Sequence, residues 1–182
     1  ISSARLDDLQ CAFAAFRGFT AGKREKHICV YALFDNEEVG SATNQGAGAT
    51  FLKNTLTRIS RSLGYSYDET QAMIGEYADP VNAPRLNEGI VIKFNAQQKY
   101  ATDGFSAAFF RDLCRRAKVP TQTFTNRSDI PGGSTLGNIS NTKVSMPTVD
   151  IGLPQLAMHS SYETAGTKDT AYLVMACTAF FE

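Results

Sequence analysis

An acidic segment gives the strongest chemical signal in this sequence. It reads Asp35-Asn36-Glu37-Glu38-Val39-Gly40-Ser41 and follows the apolar run Ile28 to Phe34 directly. Its three acidic groups repel one another unless water, a cation or a shifted pKa relieves them. A divalent cation would also give the two glutamates separate tasks, because one can bind the ion while the other accepts a proton from activated water. A solvated acidic loop is the simpler alternative, and the segment alone leaves both open.

Two further places offer ligand atoms. Asp7 and Asp8 stand at the start of a predicted helix, where the macrodipole favours negative charge, and capping is the commoner use of such residues. His159 follows the short run Gln155 to Met158, and a lone histidine is more often structural. If Asp, Glu and His met, they would form an oxygen and nitrogen ligand set suited to zinc, with a position open for water. Spacing along the chain does not show whether they meet.

The composition is that of a soluble globular protein, with 182 residues, 43% hydrophobic and 20% charged. The formal net charge is zero, so we expect neither nucleic acid nor an anionic membrane as a partner. The longest apolar stretches are too short to span a bilayer. No signal-like segment opens the sequence, and its start at Ile1 leads us to expect the natural N-terminus elsewhere.

The four cysteines lie far apart, without CxxC spacing and among apolar neighbours: Cys11, Cys29, Cys114 and Cys177. We expect reduced core residues in a cytoplasmic protein rather than disulfides or metal ligands. The sequence has only two histidines, so any zinc site must depend on carboxylates.

Hydrophobic periodicity predicts the elements that must position these groups. Helices are predicted over Leu6–Phe19, Gly46–Leu63, Asp103–Lys118 and Lys168–Phe181, with a short one within Ser66–Gly75. Strands are predicted over His27–Phe34, Gly89–Phe94, Thr121–Thr125, Thr148–Ile151 and Gln155–Met158. The first strand is nearly continuously apolar, which is typical of burial on both faces. The alternation predicts an α/β fold, a mostly parallel central sheet flanked by helices, with functional sites beyond the strand ends.

Five motifs then occur in one order along the chain. They are Ser3-Ala4-Arg5-Leu6-Asp7, Asp35 to Ser41, Lys93-Phe94-Asn95 with Tyr100-Ala101-Thr102-Asp103, Gly133 to Gly137, and Val149 to Ser160. This set resembles the aspartyl aminopeptidases, a family of dinuclear zinc metallo-aminopeptidases, from end to end of the sequence. The resemblance implies that residues 1–182 form the C-terminal portion of a phosphorylase/hydrolase-like catalytic domain, without its N-terminal half and inserted assembly domain.

The resemblance also implies roles for individual residues. Asp7 would bridge two metal ions, and Glu38 and His159 would bind one of them. Glu37 would be the general base that takes a proton from the metal-activated water. Tyr100 would stabilise the tetrahedral intermediate.

Four more residues would bind the substrate: Lys93, Gly133, Ser134 and Met158. Lys93 is a suitable cation for a substrate carboxylate, and Met158 would line the specificity pocket. Gly133 and Ser134 would lie in a loop that closes over the site, where the small side chains allow close backbone approach. From the residues alone, Lys93 could equally extend to solvent, and Tyr100 or Met158 could belong to the core.

The implied activity is metal-dependent release of N-terminal Asp or Glu from peptides by a cytoplasmic homo-oligomer. The metals would be two divalent ions, expected to be zinc, although carboxylate-rich sites also accept manganese and cobalt. The alternative is an inactive, aminopeptidase-like scaffold or binding subunit that lacks one metal site.

Two features of the family pattern are absent. One is a metal-binding histidine from the N-terminal half, and the other is an Asp followed by a histidine-rich segment where Met73-Ile74-Gly75-Glu76 here meets Tyr77 directly. The remaining ligands would serve mainly one ion. Missing residues at Glu76–Tyr77, a second chain with the other half, or a degenerate relative would each explain this. Asp79 could replace the lost Asp, although its place before Pro80 does not match the motif.

Overall fold

The structure is a computed structural model, and it describes residues 1–23, 28–65, 84–126 and 132–182. The helices are α1 Leu6–Ala21, α2 Phe51–Ser62, α3 Gly104–Arg116, α4 Leu136–Asn141 and α5 Thr167–Phe180, with a 3₁₀ turn over Glu37–Val39. The strands are β1 Ser2–Ser3, β2 Ile90–Phe94, β3 Thr121–Thr125, β4 Ile151–Gly152, β5 Gln155–Leu156 and β6 Glu163–Ala165. Four expectations concern residues outside the described ranges: His27, the helix within Ser66–Gly75, the Glu76–Tyr77 junction and Asp79.

Strand β2 is the centre of the first sheet, whose order is β3-β2-β4. It runs parallel to β3, with Ile92 opposite Thr123, and antiparallel to β4, with Ile92 opposite Ile151. Ile90 and Ile92 have no exposed surface, and they pack in one core with residues of α1, α3 and α5. The core therefore lies between this sheet and the three longest helices that surround it.

The second sheet has the order β1-β6-β5 and is antiparallel throughout. In its central strand, Glu163 pairs with Ser3 on one side, and Thr164 pairs with Leu156 on the other. The two edge strands belong to opposite ends of the sequence. This small sheet therefore brings the start of the chain next to the segment that follows β5.

Helix α3 begins at a capping box. The Asp103 carboxylate accepts a hydrogen bond from the Ser106 backbone N–H, and the Ser106 hydroxyl lies 3.1 Å from the Asp103 nitrogen, which donates to it. Such reciprocal bonds satisfy two N–H groups that the helix leaves unpaired. Arg115 and Arg116 occupy the last turn, where positive charge is favoured. The predicted boundary at Asp103 is thus the cap of the observed helix.

The α/β class is confirmed, but two details of the predicted sheet are wrong. The β2–β3 pair is parallel, and the other pairs among the described strands are antiparallel, so the sheets are not mostly parallel. Residues 28–34 form no strand, and Ile28 and Leu33 are 65% and 64% exposed instead of buried. A strand needs a neighbour to pair its backbone groups, and no described strand pairs with this segment.

None of the four cysteines, all of which lie in the described residues, forms a disulfide. Cys114 has no exposed surface, and burial raises its pKa to about 12. Burial likewise raises the pKa of Cys11 and of Cys177 to about 11, and both pack against the core. These three thiols stay protonated and unreactive at neutral pH.

Among the described helices, none combines the length and apolar character that crossing a membrane requires.

The contact between α1 and α5 depends on a glycine. A Cβ on Gly18 would lie 2.3 Å from the Cys177 Cβ and 2.8 Å from the Thr178 backbone nitrogen. The Cys177 Cβ is fixed to the α5 backbone, and the Thr178 nitrogen is part of it, so neither atom can move aside cheaply. The two helices can approach this closely only because position 18 has no side chain.

We therefore expect Gly18→Ala to destabilise the protein by about 1–3 kcal/mol, because the overpacked methyl group forces α1 away from α5. Chemical denaturation monitored by circular dichroism measures this. The exposed neighbour provides the control, since Arg17→Ala should change stability by less than about 0.5 kcal/mol. Equal stability of wild type and Gly18→Ala would contradict the packing described here.

Candidate metal centre and active site

Three side chains from distant parts of the sequence meet at one point: Asp7 from the first turn of α1, Glu38 from the 3₁₀ turn and His159 from the loop after β5. The His159 Nε2 lies 3.0 Å from the Asp7 Oδ2 and 3.1 Å from the Glu38 Oε2. Ligand atoms of all three lie within 4.8 Å of one another. Three ligand atoms this close together could hold one metal ion.

The donor set and its spacing suit zinc. Zinc binds imidazole nitrogen and carboxylate oxygen at about 2.0–2.2 Å, so two ligands at a tetrahedral angle are separated by about 3.4 Å. The observed separations of 3.0 Å and 3.1 Å are close to that value. His159 is 64% exposed and Asp7 is 20% exposed, so the group is open on the histidine side. A further ligand or a substrate can reach an ion there from solvent.

The acidic loop keeps its shape through its own backbone. The Ser41 N–H donates to the Asn36 carbonyl at 2.8 Å, and the Asp35 N–H donates to the Gln45 carbonyl at 3.1 Å. The Asn36 amide side chain also donates to the Thr43 hydroxyl at 2.9 Å. These bonds close the loop into a compact turn and present Glu37 and Glu38 from its tip.

Left-handed backbone occurs beside each of the three ligands. The φ angle is +60° at Arg5, +62° at Asn36 and +66° at His159 itself. Residues other than glycine rarely adopt this conformation, because the Cβ crowds the carbonyl. Strained positions of this kind persist where the surrounding structure enforces them, and they cluster at functional sites.

The carboxyl groups raise one another's pKa. Burial and then the charge of Glu38 raise the pKa of Glu37, while burial and then the charge of Asp7 raise that of Glu38. Burial and the charge of Asp7 also raise the pKa of Asp8. The Lys93 ammonium acts in the opposite direction on both Glu37 and Asp8. The acids therefore form one electrostatic group with a lysine beside it, and a cation would relieve it further.

The other predicted site residues lie outside the three-residue group. Lys93 is in β2, with its ammonium 5.8 Å from the centre of the Tyr100 ring. Tyr100 is 7% exposed and also contacts the Phe124 ring, so much of its surface belongs to the core. Met158 precedes His159 and is exposed.

The glycine loop is open on its outer side. A Cβ on Gly133 would meet no atom within 4 Å, so the expectation of crowded backbone there has no support from the described residues. The neighbouring Ser134 hydroxyl lies 2.8 Å from the Asn138 side-chain oxygen in α4 and donates to it. Gly133 and Ser134 are both exposed.

Asp150 connects this loop to the segment carrying Tyr100. One carboxylate oxygen accepts from the Ala101 N–H, and the other accepts from the Thr135 hydroxyl at 2.7 Å. Its backbone carbonyl accepts from the Lys93 N–H at 2.9 Å. Asp150 is buried, and it fixes the relative positions of the residues that were expected to face the substrate.

The sequence patterns point to no role for Asp150, although it lies inside one of the motifs, and they miss Glu163 entirely. The Glu163 carboxylate accepts from the Asp7 N–H at 3.0 Å and from the His159 N–H at 2.8 Å. One signal was available, since Glu163 is the only acidic residue between Asp150 and Asp169 and follows His159 by four positions.

A family model described as "Aminopeptidase I zinc metalloprotease (M18)" matches residues 1–77 and 66–181. The two matched segments together extend over nearly the whole sequence. The chain belongs to the M18 family of metallopeptidases.

Two curated relatives carry the name "Probable M18 family aminopeptidase 2". The relative from Clostridium novyi is 43% identical over 199 residues, with 100% of this chain and 46% of the relative covered. The relative from Stutzerimonas stutzeri is 44% identical over 196 residues, with 100% of this chain and 45% of the relative covered. The chain thus spans about half the length of the curated relatives it matches. Because 199 aligned positions exceed the 182 residues here, the first relative has residues without a counterpart in this chain.

Solved structures agree with this assignment. A chain in the cryo-EM structure of the Ape4 and Nbr1 complex is 35% identical with a TM-score of 0.89, and 99% of this chain matches 39% of that chain. The M18 aminopeptidase from Thermotoga maritima is 27% identical with a TM-score of 0.82, and 100% of this chain matches 46% of it. The described fold is therefore that of part of an M18 aminopeptidase.

We expect Asp150→Asn to destabilise the protein by about 1–3 kcal/mol, because an amide retains only one accepting oxygen for two partly buried donors. Thermal and urea unfolding measure the loss. Asp112→Asn is the matched control, since Asp112 pairs with Arg115 and Arg116 on the exposed face of α3, where solvent screens the pair. The same loss in both variants would contradict the structural role of Asp150.

Proposed function

We propose that this chain forms the metal-holding part of a zinc-dependent aminopeptidase that releases N-terminal residues from peptides. The observation that carries the proposal is the meeting of Asp7, Glu38 and His159, with ligand atoms within 4.8 Å of one another. Membership of the M18 family supports it, as does the spacing of an imidazole and two carboxylates that suits zinc.

Asp7, Glu38 and His159 would hold one ion. Asp7 has a second carboxylate oxygen with which it would bridge to a second ion, whose other ligands would come from residues outside the described part of the chain. Zinc is the proposed metal, and manganese or cobalt would also suit these carboxylates. When bound, the ion supplies Lewis acidity, which polarises the substrate carbonyl and makes water a better nucleophile.

Glu37 is the proposed general base. It is adjacent to Glu38 in the chain but lies outside the ligand group, so its carboxylate remains free to accept a proton. Burial and the charge of Glu38 raise its pKa, which brings it closer to neutral pH, where a general base is most effective. Glu37 would accept the proton of the attacking water and return it to the nitrogen of the leaving amine.

A preference for acidic N-terminal residues would depend on Lys93. Its ammonium acts electrostatically on Glu37 and Asp8, so a positive charge lies beside the proposed reaction site. A substrate carboxylate would pair with it, while Met158, which is exposed, would line the pocket. Tyr100 would stabilise the negatively charged oxygen of the intermediate, and Gly133 with Ser134 would close over the bound peptide.

An exposed apolar face supports the view that residues 1–182 are part of a larger catalytic domain. Leu9, Phe13 and Phe16 lie on one side of α1, and all three are at least 48% exposed. The segment 28–34 lies beside them, since the Tyr31 ring is 5.7 Å from that of Phe16 and Ile28 and Leu33 are exposed. Exposed apolar surfaces of this kind mark contacts with other protein.

We also propose a homo-oligomer and a reducing compartment such as the cytoplasm. One similar structure, 25% identical with a TM-score of 0.77, is described as an "mApe1 dodecamer" from yeast. Four cysteines without a disulfide suit a reducing environment.

The second candidate is an inactive scaffold or binding subunit that keeps the fold without a complete metal site. The observation in its favour is that the aligned relative has residues with no counterpart here. The retained cluster of Asp7, Glu37, Glu38 and His159 favours the enzyme, because a scaffold gains nothing from acidic groups that repel one another.

Glu37→Gln tests the proposed base. The amide cannot accept the proton, so hydrolysis of peptides with N-terminal Asp or Glu should fall by about 10²- to 10⁴-fold while zinc stays bound. Steady-state kinetics and elemental analysis of the same preparation measure both. Full activity in Glu37→Gln would refute the assigned role.

His159→Ala tests the proposed ion. Loss of the only imidazole in the group should remove most of the bound zinc, as measured by elemental analysis after dialysis. Met158→Leu, one position earlier, should retain the wild-type content. Wild-type protein that takes up no zinc, manganese or cobalt would favour the scaffold.

A further inference from the structure

Asp7 and His159, two of the three proposed metal ligands, are connected through the small antiparallel sheet. Strand β1 leads into Asp7 within four residues, and strand β5 leads into His159 within three. These are the edge strands, and β6 lies between them. Glu163 is the first residue of β6 and pairs with Ser3. It therefore stands between the two segments that carry Asp7 and His159.

The Glu163 side chain joins these segments directly. Its Oε2 accepts from the Asp7 backbone N–H at 3.0 Å, and its Oε1 accepts from the His159 backbone N–H at 2.8 Å. Glu163 is 2% exposed, so water does not compete for these oxygens. One buried carboxylate thus fixes two ligand backbones at once.

Those backbones need such a restraint. His159 has a φ of +66°, and Arg5, two residues before Asp7, has a φ of +60°. Conformations of this kind relax unless neighbouring groups enforce them. Each segment has a hydrogen bond to the Glu163 carboxylate that can hold it in this conformation. Hydrogen bonds to an ionised acceptor are roughly twice as strong as those between neutral groups.

Glu163 is not itself a ligand of the proposed ion. Both of its oxygens are occupied by backbone N–H groups, and it lies outside the group of three ligand side chains. It instead accepts hydrogen bonds from the backbones of Asp7 and His159, whose side-chain ligand atoms lie 3.0 Å apart.

We propose that Glu163 is a positioning residue that sets the separation of Asp7 and His159 before the ion binds. The inference rests on the proposed metal site. It predicts that the site is preorganised in the metal-free protein, so that metal affinity depends on a carboxylate that never contacts the metal. Groups that orient ligands in this way commonly change metal affinity about 10- to 100-fold.

Glu163→Gln is the test, because the amide has nearly the same shape and retains only one accepting oxygen. The probe is zinc alone, titrated in competition with a chelating dye, on the protein as isolated. We expect the zinc dissociation constant to rise about 10- to 100-fold. Wild-type affinity in Glu163→Gln would overturn the inference and leave the proposed function standing. Wild-type protein that binds no zinc would overturn both.

Asp169→Asn is the matched control for a general loss of stability. Asp169 is also a buried carboxylate that accepts two backbone N–H groups, from Asn87 at 2.7 Å and from Gly89 at 3.0 Å. The Asp169→Asn variant should lower the melting temperature as Glu163→Gln does. It should leave zinc affinity within roughly twofold of wild type, because Asp169 and Glu163 share no hydrogen-bond partner. Equal loss of zinc affinity in both variants would overturn the positioning role.

A measurement on the wild type covers the case in which Glu163→Gln does not fold. Backbone hydrogen exchange of the metal-free protein should show slow exchange at both Asp7 and His159, because the proposal requires Glu163 to accept from both N–H groups before zinc binds. Fast exchange at these two amides that becomes slow only with zinc would overturn the proposal.

Discussion

Repulsion among carboxylates is the constraint on which the site depends. Asp7 and Asp8 come from one segment and Glu37 and Glu38 from another, and, after burial, the charges of the two aspartates contribute to raising the pKa of both glutamates. Gathering such groups costs free energy unless opposite charge compensates. Lys93 and His159 supply part of that compensation. A divalent cation between Asp7, Glu38 and His159 would supply much more, which explains why a fold would keep acids so close together.

The fold resists this repulsion chiefly with backbone hydrogen bonds. The acidic loop is closed by the bond from Ser41 to Asn36, while the segments of Asp7 and His159 are fixed by the Glu163 carboxylate. Bonds of defined length and direction position ligands more accurately than apolar packing does. The exposed side of the site is then left to water, substrate or further ligands.

The loop that presents Glu37 and Glu38 follows a segment with exposed apolar side chains, among them Ile28 and Leu33. The acidic loop follows residues 28–34, which pair with no described strand and contact α1 through Tyr31. The chain spans about half of its M18 relatives, and an unpaired apolar segment is what a divided sheet would leave exposed.

Local patterns determined what the sequence could determine alone. The cap at Asp103, strand β3 at Thr121–Thr125 and the ligand types at Asp7, Glu38 and His159 depend on residues close together in the chain, and the ordered motifs identified the family. Tertiary structure decided the rest, namely the 3.0 Å contact between Asp7 and His159, the two hydrogen bonds that Glu163 accepts and the exposure of residues 28–34. Glu163 and Asp7 lie 156 positions apart, and spacing in a sequence carries no distance information across such a separation. Only the pairing of β1, β6 and β5 brings them within reach of one hydrogen bond.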